Sequence, residues 1–448
     1  MAVSVLGHGL VDYLMVMGMS LFALFAGFTK TKRVLYIIPA AITFYFFIDF
    51  LTLLTPIKLV PPLFLGAVLL KGDYDYFSIS KGRSWFAYVL CLIAISFLIG
   101  FVYSRFLPTF GSYSVMKRLL IQAVSYVNVV LIYLILRKEC REPSQFFLFL
   151  RVYVITTSIL CLYGVYQLIA YKWGLPFRGI VYDADTALAA VNLENQIFRI
   201  NSLANEPKRL SYVLIVSIVI LITYVQQFSL STRRKLFVFF LMTVHLVCAW
   251  LTYSTSIYIS LAIFLFVIVL SSLWKKQYRV YSRYAVLGLL VFILALPFFY
   301  ERLLIIYQAR VIDAVTGLGG YYVRIEEYAF PYLLQHPHLL IAGVGMGLYN
   351  FFLANDLGMG FGLSRYGLIP MNSAMLTYVF DFGLPGTIIL FSPLLKSYLG
   401  LNWFKNAFAD RLAFPMLLLF FSVSLTLNPT FLYFAFLGVL DSQRLSAT

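Results

Sequence analysis

The sequence predicts an all-α fold: a polytopic integral membrane protein of about 12–13 transmembrane helices with a large, partly helical loop on one side. Three observations predict it. Of 448 residues, 62% are hydrophobic and only 12% charged, and the mean hydropathy is +0.90. A soluble chain could not hide that much apolar surface, so its solvent is lipid. Apolar runs of roughly 20 residues, the length that crosses a bilayer as a helix, recur along the chain. Lysines and arginines gather in short clusters between these runs, as they do in cytoplasmic loops.

The runs lie near residues 10–28, 34–55, 84–104, 119–136, 146–171, 208–228, 236–252, 255–274, 284–300, 372–395, 411–426 and 428–441. A further run, 58–70, is short and holds Pro61 and Pro62; it either crosses or re-enters. Only Asn428 and Pro429 separate the last two runs, which form a tight hairpin or one broken helix. Five basic clusters mark inside loops: Lys30, Lys32 and Arg33; Arg137, Lys138 and Arg141; Arg233, Arg234 and Lys235; Lys275, Lys276, Arg279 and Arg283; and Lys396, Lys405 and Arg411. Alternation from these clusters turns 172–207 and 301–371 outward. It closes only if 58–70 crosses and the N-terminus lies outside. Residues 1–448 then form a single transmembrane domain carrying two outer loops. The first run is long and no small-residue cleavage site precedes a soluble domain, so no cleavable signal peptide is expected.

A formal charge of +16 would suggest a nucleic-acid partner in a soluble protein. Here no basic domain stands apart from the spans, and nucleic acid is excluded as a partner. Cys91, Cys161 and Cys248 fall in apolar runs and Cys140 in a basic loop. None has metal-ligand spacing, and all four read as small apolar side chains.

The outer loops are long, mixed in charge, and rich in aromatics and glycine, the character of functional loops. Where the first loop meets its span, FRINSLANEPKRLSY (198–212) carries Arg199 and then Glu206-Pro207, a helix opening with an acid at the positive end of the dipole. Lys208 and Arg209 follow. The run is either a capped helix end with interfacial cations or a cationic cradle for phosphate beside one carboxylate. Arginine suits the second use because its planar fork donates two parallel charge-assisted hydrogen bonds. The second loop holds YYVRIEEYAFPYLLQHPHLLIAGVGMG (321–347). Apolar spacing over 321–335 predicts a helix on the membrane surface, ended by His336-Pro337-His338. Arg324 and Glu327 share a helical face and could simply pair. Gly343, Gly345 and Gly347 lack the Lys-Ser/Thr of a phosphate loop. They predict a tight turn that brings backbone close to a ligand or another helix. His336 and His338 read as turn residues or as a general base. The third motif, PMNSAMLTYVFDFGLPG (370–386), brings Asn372 in at the outer end of a span and Asp381 within it, where an acid needs a partner.

In order and placement these motifs resemble the O-antigen polymerase and O-antigen ligase superfamily of bacterial inner-membrane glycosyltransferases. The resemblance is carried by Arg199 with Glu206-Pro207, by Arg324 ahead of HPHLLIAGVGMG (336–347), and by Asn372 ahead of FGLPG (382–386), and it covers about the second half of the chain. It implies a multi-pass enzyme of the bacterial inner membrane whose active site faces the periplasm. Its substrates would be oligosaccharides linked to undecaprenyl pyrophosphate, with membrane lipids around it and a chain-length regulator protein as the partner it would allow. Ligases of this group carry a His-Asn pair where this chain has Met371-Asn372, and Glu206-Pro207 looks more like polymerases. The expectation is therefore a polymerase of lipid-linked repeat units. A ligase transferring glycan to lipid A-core and a lipid-linked oligosaccharide flippase are the alternatives.

On this reading Glu206 takes the acceptor hydroxyl proton, with Glu327 or Asp381 as substitutes. Arg199, Arg324 and Arg209 meet the charge on the leaving diphosphate, with Lys208 and Arg310 behind them. Tyr321, Tyr322, Tyr328 and Tyr332 stack on sugar faces or form an interfacial belt, and Asn372 contacts substrate. No metal or cofactor is required. The rival is a divalent cation held by Asp183-Ala184-Asp185 or Asp73-Tyr74-Asp75.

Overall fold

A computed structural model describes residues 5–6, 10–44, 55–77, 84–110, 114–178, 191–192, 197–204, 206–275, 278–279, 281–283, 286, 290, 325–358, 363–364, 367–368, 371–399 and 406–444. The described residues are predominantly helical. Nine helices among them are long and apolar enough to cross a membrane, and the chain is a multi-pass membrane protein. In order these are α1 (Leu10–Phe28), α4 (Ser84–Tyr103), α5 (Val115–Glu139), α6 (Pro143–Trp173), α7 (Pro207–Gln227), α8 (Thr232–Leu251), α9 (Thr255–Trp274), α13 (Ala374–Leu399) and α14 (Ala407–Ser424). Shorter helices complete the bundle: α2 (Ile38–Thr43), α3 (Pro56–Leu70), α10 (Ile325–Gln335), α11 (Pro337–Ala342), α12 (Tyr349–Leu357) and α15 (Thr430–Ser442). Among the described residues the β structure is confined to two-residue pairs: Val5 beside Phe177 in parallel, and Val191 opposite Phe198 and Leu363 opposite Leu368 as antiparallel pairs.

The helix boundaries follow from capping chemistry. Ser114 caps α5 by accepting from the Lys117 N–H, and Asn406 caps α14 by accepting from the Phe408 N–H. Pro143 and Pro207 open α6 and α7, where their missing N–H groups have no intrahelical partner to lose. Gly174 ends α6 in the left-handed region. One expected span is corrected. Over 34–55 no continuous helix runs through the described part: a 3-10 helix (Thr31–Tyr36) passes into the six-residue α2, and Phe44 leaves the helix in an extended conformation. The run 284–300 lies almost wholly outside the described residues.

Side-chain bonds sort the helix ends onto two faces. Lys138 grips the Asp73 carboxylate at 2.8 Å to both oxygens, Lys32 pairs with Glu142 at 2.7 Å, and Gln443 donates to the Cys140 carbonyl at 2.5 Å. These contacts join the ends of α1, α3, α5 and α15 to the start of α6. Phe147 packs on Phe228 and Phe408, and Trp85 donates to the Ile389 carbonyl, so the end of α7 and the starts of α14 and α4 belong to the same face. It carries the basic clusters and is called the basic end. Helix α3 runs toward it alongside α1, and α14 and α15 form the tight hairpin through residues 425–429. Between the ends the core is aromatic: Phe436 packs on Phe149, Tyr153 and Phe420. Gly438 lets α15 lie against the Tyr133 carbonyl of α5, where a Cβ would come within 2.6 Å. Cys140, Cys161 and Cys248 are buried, whereas Cys91 is on an exposed helix face.

Candidate functional site

At the end opposite the basic clusters, the starts of α7 and α13 come together. Glu206 takes an extended backbone ahead of Pro207, and its carboxylate pairs with Lys208 at 2.7 Å. The same ammonium donates to the Asn372 Oδ1 at 2.5 Å, bridging the chain across 164 positions. Asn372 is the second residue before α13, and its own N–H donates to the Glu326 carboxylate at 2.5 Å. A longer bond of 3.4 Å runs from the Ser373 N–H to the same oxygen. Ser373 then caps α13 by accepting from the Leu376 N–H at 3.2 Å. Glu326 thus supplies negative charge at the positive end of the α13 dipole. One continuous contact path runs Glu206–Lys208–Asn372–Glu326 and joins all three sequence motifs.

The glycine turn fixes this arrangement from below. Gly343, Gly345 and Gly347 have φ of 75°, 91° and 74°, a region open to glycine and strained for other residues. Gly345 lies so close to α4 that a Cβ would meet the Gly100 Cα at 2.3 Å, and Gly343 abuts the Phe380 carbonyl beside the Gly383 kink of α13. The turn therefore serves backbone approach to other helices, one of the two uses its sequence allowed. Asp381 pins it: one carboxylate oxygen accepts the Gly347 N–H at 2.8 Å, the other the Tyr126 hydroxyl at 2.6 Å. Asp381 is fully buried, so its role as a substitute base is corrected; it is a structural acceptor. Beyond the turn, the buried Tyr349 hydroxyl accepts the Met371 N–H at 2.9 Å and so holds the segment that leads into Asn372. Burial raises the Tyr349 pKa, and the Arg118 charge opposes that rise.

Cations surround the path. Arg209, one residue past Lys208, lies against the Tyr212 hydroxyl. Arg118, at the start of α5, points its Nε toward the Gly347 carbonyl at 3.4 Å. Both Arg118 and Arg209 act electrostatically on Lys58, in the first turn of α3. Like charges drawn together from three helix starts form an environment made for an anion.

No family model, no curated protein and no solved structure matches the chain.

Of the residues singled out in the sequence, Glu206, Lys208 and Asn372 are in direct contact, and Arg209 joins the surrounding cations. Arg199 occupies the corner between α8 and α9, where its Nε donates to the Thr252 carbonyl at 2.9 Å and its charge reaches Tyr258. Arg324, Arg310, Tyr321, Tyr322, Asp183 and Asp185 lie outside the described residues, as does the Glu327 side chain. Tyr328 is exposed on α10, the helix that carries Glu326. Tyr332 is corrected: it is buried, donates to the Asp356 carboxylate and stacks over Phe380, so it is packed inward rather than offered to a sugar. Burial and the neighbouring Asp356 raise its pKa. The His336 ring packs on Tyr332 and shares the Tyr332 carbonyl at 2.9 Å, a helix-end contact. Asp73 is corrected as a metal ligand, because it is at the basic end with Lys138 across both oxygens.

Sequence reasoning missed Glu326, Arg118, Lys58 and Tyr349. A signal existed for two of them. Lys117-Arg118 and Lys58 fall at span edges that alternation turns away from the cytoplasm, against the bias that gathers cations inside.

Proposed function

We propose that this protein polymerises oligosaccharide repeat units carried on undecaprenyl pyrophosphate into a surface polysaccharide, at the periplasmic face of a bacterial inner membrane. One observation carries the reading: residues from three motifs far apart in sequence, Glu206 with Lys208, Glu326 and Asn372, form one contact path at the end away from the basic clusters. The positive-inside rule turns that end to the periplasm.

The acceptor sugar hydroxyl attacks the anomeric carbon of the donor as the bond from that carbon to the diphosphate oxygen breaks. The electron pair leaves with the diphosphate, and the hydroxyl proton passes to Glu206. The Glu206 side chain is 43% exposed, so one carboxylate can face a substrate while it pairs with Lys208. Lys208, Arg209, Arg118 and Lys58 stabilise the charge that develops on the leaving group. Arg199, Arg324 and Arg310 are the further cations that this reading assigns to the two lipid-linked substrates. Both lipids are confined to the membrane plane, and this supplies much of the orientation.

The test is a purified-protein assay with one defined lipid-linked repeat. Self-extension to a ladder of longer lipid-linked products is expected. Transfer only to added lipid A-core would assign a ligase instead, and no transfer to either acceptor would refute the enzyme reading. Arg199→Ala and Arg324→Ala should each leave the single repeat unextended; normal ladders from both would remove the arginines from the mechanism.

A further inference from the structure

A second charged feature lies at the other end of the bundle and has no part in the proposed reaction. The end of α1, the end of α3 and the start of α6 enclose an open cavity of about 600 Å³. Lys30, Lys32, Arg33 and Lys71 are among the residues that line it, and Asp73, Gln145 and Leu148 also form part of the wall. The acids nearby are already engaged. Lys138 spans both oxygens of Asp73, and Lys32 holds Glu142 at 2.7 Å. Among the described residues Lys30, Arg33 and Lys71 have no carboxylate at ion-pair distance; Lys71 donates to the Thr29 carbonyl at 3.4 Å and acts on Asp73 only through its charge, and Arg33 lies over the Phe25 ring at 5.2 Å. Three cations without a direct ion pair on one cleft repel one another until an anion enters.

The cleft lies where helix ends meet the membrane surface, the depth of lipid headgroups. Apolar surface continues from it along α1, where Phe22, Phe25 and Phe28 are exposed, and Leu70 is exposed at the end of α3. A ligand there can place an anionic head among the lysines and its chains along α1. Among the described residues the buried Gln145 Oε1 has no hydrogen-bond partner, and it can accept from a hydroxyl. We infer that this cavity binds the headgroup of an anionic glycerophospholipid, with the phosphate against Lys30, Arg33 and Lys71 and a headgroup hydroxyl donating to Gln145.

Native mass spectrometry of the full chain tests this, titrating phosphatidylglycerol, phosphatidylcholine, or glycerol phosphate as the soluble head alone. Phosphatidylglycerol should be retained in preference to phosphatidylcholine. A lysine or arginine near a membrane surface changes affinity about fivefold, so Lys30→Ser with Lys71→Ser should weaken retention about thirtyfold. Arg233→Ser with Arg234→Ser removes the same charge from exposed positions of α8 outside the cavity and should leave retention unchanged. Lys30 and Lys71 are exposed, so the first pair should fold; unchanged thermal unfolding without lipid verifies it. Gln145→Leu should narrow the preference for phosphatidylglycerol over phosphatidate, which lacks the headgroup hydroxyl. Equal loss from both double variants, or equal retention of the two phospholipids, would overturn the inference. Saturation by glycerol phosphate at the same concentration as lipid would reassign the cavity to a soluble phosphate.

Discussion

Replacing Glu206 by glutamine separates two roles that its position allows. Glutamine keeps the shape and one acceptor oxygen, so Lys208, now 2.7 Å from the carboxylate, can still donate to it and still holds Asn372 at 2.5 Å. The two side chains are 43% and 29% exposed, and a pair that accessible contributes about 0–1 kcal/mol to stability. Thermal unfolding of Glu206→Gln should therefore differ little from that of the parent. In the proposed role of general base, Glu206 would contribute about 10²–10⁴ in rate, or roughly 2.7–5.4 kcal/mol of barrier. The assay is single-turnover extension of a defined lipid-linked repeat, run beside thermal unfolding in the same detergent. A Lys208→Met variant and the double variant complete a cycle, so that coupling through the ion pair is measured directly. Extension by Glu206→Gln at a rate within about threefold of the parent, far under the contribution of a base, would refute the role. A matching loss of stability and rate would assign Glu206 to helix capping alone.

Gly345→Ala should destabilise by about 2–4 kcal/mol, because its Cβ would meet the Gly100 Cα at 2.3 Å and its φ of 91° disfavours a side chain; denaturant or thermal unfolding in detergent reads this. Asp381→Leu leaves the Gly347 N–H and the Tyr126 hydroxyl without their acceptor, at about 1–3 kcal/mol for each. Asp381→Asn should recover part of that and retain extension activity, since the carboxylate is fully buried between Gly347 and Tyr126. Glu326→Ala removes a charge-assisted acceptor worth about 1.5–3 kcal/mol in protected sites, less at this exposed end; its expected signature is a raised KM as Asn372 loses its anchor. At the basic end, burial opposes the charged form of Asp73, but the Lys138 hydrogen bond and the Lys138 and Lys71 charges outweigh it and hold the carboxyl below its usual 3.8. A depressed carboxylate stabilises the fold above the unfolded value and loses that contribution as pH falls through the folded one. Unfolding between pH 5 and 2 should accordingly be shallower in Asp73→Asn than in the parent.

The long helices were legible in the sequence because lipid imposes a simple requirement: about 20 apolar residues, then polar ends. Spans read near 208–228 and 255–274 are α7 (Pro207–Gln227) and α9 (Thr255–Trp274). The reading failed where composition is apolar but the backbone turns, as at Phe44, since hydropathy does not register a change of φ and ψ. In the site, Glu206-Pro207 was legible because both residue types have fixed preferences at a helix start. Glu326 was not, because its partner is 46 positions away. Asp381 was read as a substitute base for a sound reason, the cost of an acid inside a span. Its partner, Tyr126, is 255 positions distant, and no local spacing could supply it.

The distribution of cations carries the functional argument one step further. Lys58, Arg118, and Lys208 with Arg209 fall in the first turns of α3, α5 and α7. A helix start is already positive, so a cation there is unfavourable by about 0.3–1 kcal/mol where an acid would be favoured. Three helices accept this cost at one end of the bundle, and two of the cations press on the third. Stability alone would select acids at those positions; Glu206 and Glu326 are the acids supplied, and they hold Lys208 and the start of α13. A ligand with two adjacent negative phosphates would convert both the dipoles and the side-chain charges from repulsive to attractive. In the proposed reaction the arrangement would be costly when empty and favourable when filled, the condition under which a site stabilises charge that appears only as a diphosphate departs.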